Sequence, residues 1–233
     1  MFSIVLSDIV GDPLDMIASG PAYPDASTAE QALAIVKKYA LHLSDEALSC
    51  LEAPTPNHLS NVETHITGSV RALCAAAQDA AQKLGFQCRM LTDCLDCEAR
   101  EAGRFLASIA RSHQQTERPL AFFAGGETVV HLTGQGLGGR NQELALAAAP
   151  GLWGTQNTAV CSFGSDGTDG PTDAAGGFVD QSSDAALRAA GLDVPQVLAE
   201  NDAYHALQKI GGLLMTGPTG TNVNDLAMVL IWR

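Results

Sequence analysis

Apolar residues recur along the chain with two periods, and together these lay out an alternation of strands and helices. Phe2-Ser-Ile-Val-Leu6 is a short run of β-formers and reads as a buried strand. Ser27-Thr-Ala-Glu30 has capping-box spacing, and Leu33, Val36 and Ala40 continue one helical face. Ser44 can cap a second helix through Leu51, which Pro54-Thr-Pro56-Asn57 stops, making this stretch the expected domain boundary. From there the pattern gives a strand over 62–67, a helix over 70–84 capped by Ser69 and closed by Gly85, a strand over 86–91, a helix over 98–112 and a strand over 120–124. Thr128 to Thr133 reads as another strand, in a hairpin with the one before, followed by a helix over 141–149 and a strand over 158–163. Two more helices, over 184–190 and 202–210, precede a brief strand over 213–216 and a last strand over 227–232. Strands alternating with helices of useful length imply βαβ units. The expected fold class is therefore α/β, three-layered, with a mixed, mostly parallel sheet flanked by helices.

Composition narrows the partners. Of 233 residues, 46% are hydrophobic and 17% charged, which suits a globular chain with a sizeable core. The net charge of −13 argues against nucleic acid or an anionic membrane surface, both of which need clustered Lys and Arg. No apolar run is long enough to cross a bilayer and no signal peptide is evident at the N-terminus, so the expected location is cytoplasmic, with a mitochondrial pool kept open because any transit peptide would precede residue 1. The six cysteines show no secreted framework. Cys94-Leu-Asp-Cys97 is a lone C-x-x-C without a second pair or histidines at ligand spacing, and reads as ordinary thiols.

The chemistry concentrates between Gly125 and Gly177, where glycines cluster after an apolar segment and carboxylates alternate with them in a second loop. Such glycines allow backbone N–H groups to approach an anion, and Asp166, Asp169 and Asp173 are hard oxygen ligands of the kind Mg²⁺ takes. For those acids, metal ligation or general-base work stands level with turn and cap duty. Gly134, Gly136 and Gly139 satisfy G-x-G-x-x-G, yet no ribose-holding acid follows at the dinucleotide spacing and no P-loop exists. Arg140 is the only Lys or Arg between Arg118 and Arg188, at the expected N-terminus of a helix. It either pairs with a structural carboxylate such as Glu143 or Glu127 or reaches for substrate, its planar fork being suited to carboxylate and phosphate oxygens. Asp8, Asp12 and Ser19 follow the first strand, with turn and cap duty equally open, while Gly217-Pro-Thr-Gly-Thr-Asn222 offers backbone amides and two hydroxyls. The six histidines form no grouping.

Seven segments, in order, carry a resemblance: Ser7-Asp-Ile-Val-Gly-Asp12, Ile17-Ala-Ser-Gly-Pro21, Gly125-Gly-Glu-Thr128, Gly138-Gly-Arg-Asn-Gln-Glu143, the Asp166-to-Gly176 loop, Asn201-Asp202, and Thr216 to Asp225. Together they resemble the glycerate kinases of the MOFRL type, nearly end to end. The resemblance implies a two-lobed α/β kinase dependent on ATP and Mg²⁺, with D-glycerate as small-molecule partner and the active site in the cleft. It makes Arg140 an active-site residue, and implies a long lobe ahead of Ser7 bearing an active-site lysine that no residue here can replace. The expected organisation is a remnant of the N-terminal, nucleotide/substrate lobe over residues 1–61 and the C-terminal MOFRL-type lobe over 62–233. Arg140 and Asp169 are expected to be catalytic and Asp166 and Asp173 to hold Mg²⁺, with Asp166 and Asp169 alternatively orienting the acceptor hydroxyl. Asp8, Ser19, Glu127, Asn141, Gln142, Thr219, Thr221 and Asn222 are expected to contact substrate or phosphate. Arg140 and the three acids should then face one hollow. The rival reading is a catalytically silent fragment or isoform acting as a binding or dimerisation module, with homo-oligomers kept open; an NAD-dependent oxidoreductase is a distant third.

Overall fold

The computed structural model describes residues 1–55 and 57–233, so Pro56 of the expected boundary lies outside the described residues. Two compact units emerge, one comprising Met1–Val5 with Asp12–Thr67, the other Leu6–Gly11 with Gly68–Arg233.

β1 (Phe2–Leu6) pairs with β2 (Glu63–Gly68) in a two-stranded sheet that belongs to the smaller unit except for the last residue of each strand. The capping box of α1 (Ala29–Lys38) uses Thr28 and Gln31, one residue later than the sequence spacing suggests, and Ser44 caps α2 (Asp45–Leu51) through the Ala47 amide. β1 is not the buried strand its composition implied: Phe2 and Ile4 are 74% and 75% exposed. Two strands make a ribbon with too little facing surface to cover both sides.

The larger unit is built on a six-stranded sheet of order β3-β4-β8-β5-β6-β7, formed by β3 (Gln87–Leu95), β4 (Leu120–Gly126), β5 (Thr158–Gly164), β6 (Gly176–Asp180), β7 (Leu213–Leu214) and β8 (Asp225–Ile231). Alternation along β4 divides its side chains between two cores. Phe123 packs with α3 (Val70–Lys83) on one face, while Phe122 meets α4 (Ala99–Ser112) and α5 (Arg140–Leu152) on the other. Short helices α6 (Ser183–Ala189), α7 (Val194–Ala199) and α8 (Ala203–Ile210) complete that second layer. The three-layer α/β class and the mixed sheet therefore hold.

Strand pairing departs from the parallel majority. Only β3–β4 is parallel, whereas β4–β8, β8–β5, β5–β6 and β6–β7 are antiparallel. The cause is the last strand: β8 inserts between β4 and β5, which run in the same direction, and separates them with an antiparallel neighbour. Thr128 to Thr133 forms no hairpin strand, only an isolated bridge between Val129 and Glu98. In compensation, β6 and α7 appear where no element was expected; β6 opens on Gly176-Gly177, and α7 carries Pro195 in its first turn. None of the described helices is long and apolar enough to cross a membrane.

α5 is buried along Asn141–Ala149, which explains its alanines: small side chains let neighbours approach from every side. A Cβ on Gly103 of α4 would lie 2.1 Å from the Leu144 carbonyl oxygen, so the α4–α5 contact requires glycine there.

Candidate active site

The ends of three elements converge at the carboxyl edge of β4 and β5. Asp225, the first residue of β8, lies opposite Gly126 on one side and Gly164 on the other. Glu127 leaves β4 at the same edge, and α5 starts there with Arg140. In open α/β sheets such an edge is where ligands bind.

Arg140 is anchored on two carboxylates. Its Nε donates to Asp225 Oδ2 at 2.5 Å, its Nη2 to Asp225 Oδ1 at 3.3 Å, and its Nη1 lies 2.8 Å from Glu127 Oε1. A guanidinium has five N–H donors, so these contacts leave two for a ligand. Both readings of this residue meet here: it is paired, with Glu127 and not with Glu143, and it keeps free donors. Burial pushes the Asp225 carboxyl up while the Arg140 hydrogen bond and charge pull it down. Asn224, in the left-handed region at φ 67°, donates from Nδ2 to the Asp8 carbonyl at 2.7 Å and to Glu127 Oε2 at 3.2 Å.

The helix N-terminus beside Arg140 already holds an anion, and it is the protein's own. Asp169 Oδ1 accepts from the Asn141 amide at 3.1 Å and its Nδ2 at 3.2 Å, and Oδ2 accepts from the Gln142 amide at 2.8 Å. Asp169 is 3% exposed, and burial pushes its carboxyl up to about 6 against these donors. Asn141 and Gln142 are equally committed: Asn141 Oδ1 accepts from the Ser162 hydroxyl at 2.6 Å, and Gln142 Nε2 donates to Thr172 Oγ1 at 2.7 Å.

The glycine cluster serves packing rather than a phosphate cradle. A Cβ on Gly134 would come within 2.3 Å of the Glu200 backbone, and one on Gly136 within 2.5 Å of Asp202. Their amides are bound as well, Gly134 to Asn201 Oδ1 at 2.9 Å and Gly136 to the Glu200 carbonyl at 2.8 Å. Asn201 completes the clamp, donating from Nδ2 to the His131 carbonyl at 3.1 Å and to Glu143 Oε2 at 3.2 Å. Glu143 in turn meets Arg100 Nε at 3.1 Å, and burial raises its carboxyl.

These groups border a cavity of about 820 Å³. Glu127, Arg140, Glu143 and Asn201 supply its polar wall; Ile9, Val10, Val129, Val130 and Leu132 are among its apolar lining. The expected common hollow is only partly realised. Asp169 lies buried behind the helix start, and neither Asp166 nor Asp173 lines the cavity. Asp166 binds the Thr168 amide and hydroxyl of its own turn at 2.9 and 3.0 Å, and Asp173 accepts from the Tyr204 hydroxyl at 2.7 Å. Among the described residues, no three His, Cys, Asp or Glu side chains gather as a cation site. Thr219 donates its hydroxyl to the Ser165 carbonyl at 2.6 Å, the Thr221 amide bonds the Thr219 hydroxyl at 3.4 Å, and Asn222 accepts from the Asn224 amide at 3.3 Å, so this loop is laced to itself and to the 165–168 turn. Asp8 is exposed and enters through its carbonyl, and Ser19 lies in the smaller unit in a short 3-10 turn.

Sequence reading missed Asp225, Asn224 and the Asn201–Glu143–Arg100 chain as site groups. One signal was available: Asp225 is the sole charged residue heading an otherwise apolar strand.

Comparison with known proteins gives two family matches, the MOFRL family over residues 120–225 and the domain of unknown function DUF4147 over 1–52. A protein named D-glycerate 2-kinase from Thermotoga maritima is 54% identical over 98% of this chain and 56% of its own length. A glycerate kinase from Macaca fascicularis is 33% identical over 98% of this chain and 72% of its own. The crystal structure of glycerate kinase from Thermotoga maritima superposes with a TM-score of 0.93, covering 99% of this chain and 56% of that one. The chain thus spans about half the length of the bacterial relative.

Proposed function

The chain belongs to the MOFRL-type glycerate kinase family, and from that premise we propose that it carries the Arg140-bearing lobe of an ATP-dependent kinase acting on D-glycerate. The name of the Thermotoga relative supports the 2-hydroxyl as acceptor. Residues 1–61 then correspond to the tail of the preceding lobe and 62–233 to the MOFRL lobe, in a cytoplasmic protein.

The observation that carries this reading is Arg140 at the cavity wall, held by Asp225 and Glu127 with two N–H donors to spare. Phosphoryl transfer needs charge stabilisation and tight positioning rather than covalent chemistry from the protein. A guanidinium fixed by two carboxylates meets both needs: its position is set before a ligand arrives, and its free donors suit a carboxylate or phosphoryl oxygen. Asp169 acts as a positioning residue, capping the helix that starts with Arg140. Glu127 and Asn224 orient Arg140 and the Asp8 carbonyl. Mg²⁺ needs one or two carboxylates beside the phosphates, and Asp166 and Asp173, bonded to Thr168 and Tyr204 and absent from the cavity lining, do not fit that duty, so no step is assigned through a metal.

A coupled assay of ADP release tests this, using a chimera that joins the N-terminal residues of the Thermotoga relative to this chain. D-glycerate-dependent release above background is expected; a folded chimera that binds neither D-glycerate nor ATP contradicts the reading. The exposure of Phe2 and Ile4 favours a second reading, a silent association module, which a monomeric light-scattering mass at all concentrations removes.

A further inference from the structure

The segment from Glu127 to Gly139 leads directly into Arg140, and two of its anchors trace back to the start of α4. The first is backbone: the Ala99 amide donates to the Val129 carbonyl at 2.9 Å, and the Val129 amide donates to the Cys97 carbonyl at 3.1 Å. The second runs through side chains. Asn201 Oδ1 accepts from the Thr133 and Gly134 amides at 2.8 and 2.9 Å, and Asn201 Nδ2 donates to Glu143 Oε2 at 3.2 Å. Glu143 Oε1 accepts from Arg100 Nε at 3.1 Å, and Glu98 Oε1 lies 2.8 Å from the same nitrogen. Glu143 and Asn201 line the cavity, whereas Arg100 is not among its lining residues.

Stability alone gives no reason for this chain of charges. The Glu143 side chain is 3% exposed and that of Arg100 20%, and desolvating such a pair costs more than filling the same space with apolar groups. The arrangement is not even fully satisfied: Arg100 Nη2 is buried with no hydrogen-bond partner among the described residues, and the Glu98 side chain turns to Arg100 instead of capping α4. An apolar pair cannot fix direction, however, and a planar guanidinium bonded to a carboxylate does. Glu143 is thereby oriented toward Asn201. Burial raises the Glu143 carboxyl, and the Arg100 charge acts against that rise. The other charged groups near it are Glu98, also from the start of α4, and Arg140, one turn earlier on α5; the turn before α8 presents the neutral Asn201.

Resting on the kinase reading, we infer that Arg100 is a positioning residue for the reaction: from outside the cavity, through Glu143 and Asn201, it fixes the 131–134 wall and the segment that delivers Arg140. Its guanidinium keeps Glu143 ionised, and an ionised carboxylate is the stronger acceptor for the Asn201 amide. Asn201 in turn holds the Thr133 and Gly134 amides in place.

Two readouts test this. In this chain, Arg100→Gln should speed hydrogen exchange at the Thr133 and Gly134 amides about tenfold while the amides of β5 and β8 keep their protection. In the chimera, Arg100→Gln should lower kcat/KM for D-glycerate about tenfold at neutral pH and move the acidic limb of its pH profile up by about one unit or more, because Glu143 has lost the charge that opposed its protonation. Activity then rises with pH through that limb. Arg100→Lys keeps the charge and should leave the limb near its wild-type position, although an ammonium lacks the planar fork and kcat/KM stays lowered. The double variant Arg100→Gln/Glu143→Gln leaves no buried unpaired charge; it should lose the shifted limb and still exchange faster at the same two amides. Should Arg100→Gln alone fail to fold, the double variant decides, and wild-type protection at Thr133 and Gly134 in it overturns the inference. A wild-type chimera without turnover overturns the kinase reading and this inference with it; an active chimera whose Arg100→Gln variant matches it at every pH overturns the inference alone.

Discussion

Arg140 and Asp225, 85 residues apart in sequence, meet through two hydrogen bonds, from Nε at 2.5 Å and from Nη2 at 3.3 Å. The pair joins the first turn of α5 to the central strand β8. It therefore fixes the position of the guanidinium from the sheet, independently of any ligand. Glu127, at 2.8 Å from Nη1, blocks rotation of the fork about its own axis.

Replacing Asp225 with Asn should remove the charge-assisted contact and leave Arg140 half-buried beside Glu127 alone. A loss of about 2 kcal/mol in urea-unfolding free energy is expected, below the figure for a fully buried pair because the arginine side chain is 36% exposed. A loss under about 0.5 kcal/mol, the level of an ordinary surface change, contradicts the anchoring role.

Asp169 carries a pH signature. Its carboxyl is raised from 3.8 to about 6 in the folded chain, chiefly by burial. A raised folded pKa means stability that is fully present below about pH 4 and lost as the pH rises through about 6. The stability of the wild type relative to Asp169→Asn should therefore fall by up to about 3 kcal/mol between pH 4 and pH 7. Denaturant titrations at a series of pH values check this; a difference that is constant with pH contradicts it.

Asn201 ties the cavity wall to α5. Asn201→Ala removes acceptors from the Thr133 and Gly134 amides and the donor to Glu143, a buried carboxyl. A loss of about 3 kcal/mol and faster hydrogen exchange at those two amides are expected. Exchange that accelerates evenly over the whole unit would contradict a local clamp.

Local signals in the sequence carried most of the helices and the inner strands, because capping residues and apolar periodicity act within a few positions. Ser44, the glycine at 85 and the apolar run of β4 are such cases. Long-range choices were not legible. Nothing near Ala227 says that β8 will lie between β4 and β5, and that single insertion turns parallel neighbours into antiparallel ones. The same limit applied to the site. Arg140 stood out as an isolated cation, but its partner Asp225 is brought to it only by the sheet. Gly134 and Gly136 suggested a phosphate loop because glycine permits close approach; the approaching group is the Glu200–Asp202 backbone. Asp166 and Asp173 matched a ligand composition, yet each is bound within its own neighbourhood.

The central proposition is that the anchored guanidinium of Arg140 acts on the reacting oxygens, and kcat/KM of the chimera for D-glycerate tests it most directly. Arg140→Ala should lower kcat/KM by at least ~100-fold, about 2.7 kcal/mol of transition-state stabilisation. Arg140→Lys should recover little of it, because an ammonium cannot keep both carboxylate contacts and still offer two donors. A rate near that of the wild type in a folded Arg140→Ala protein would contradict the assignment.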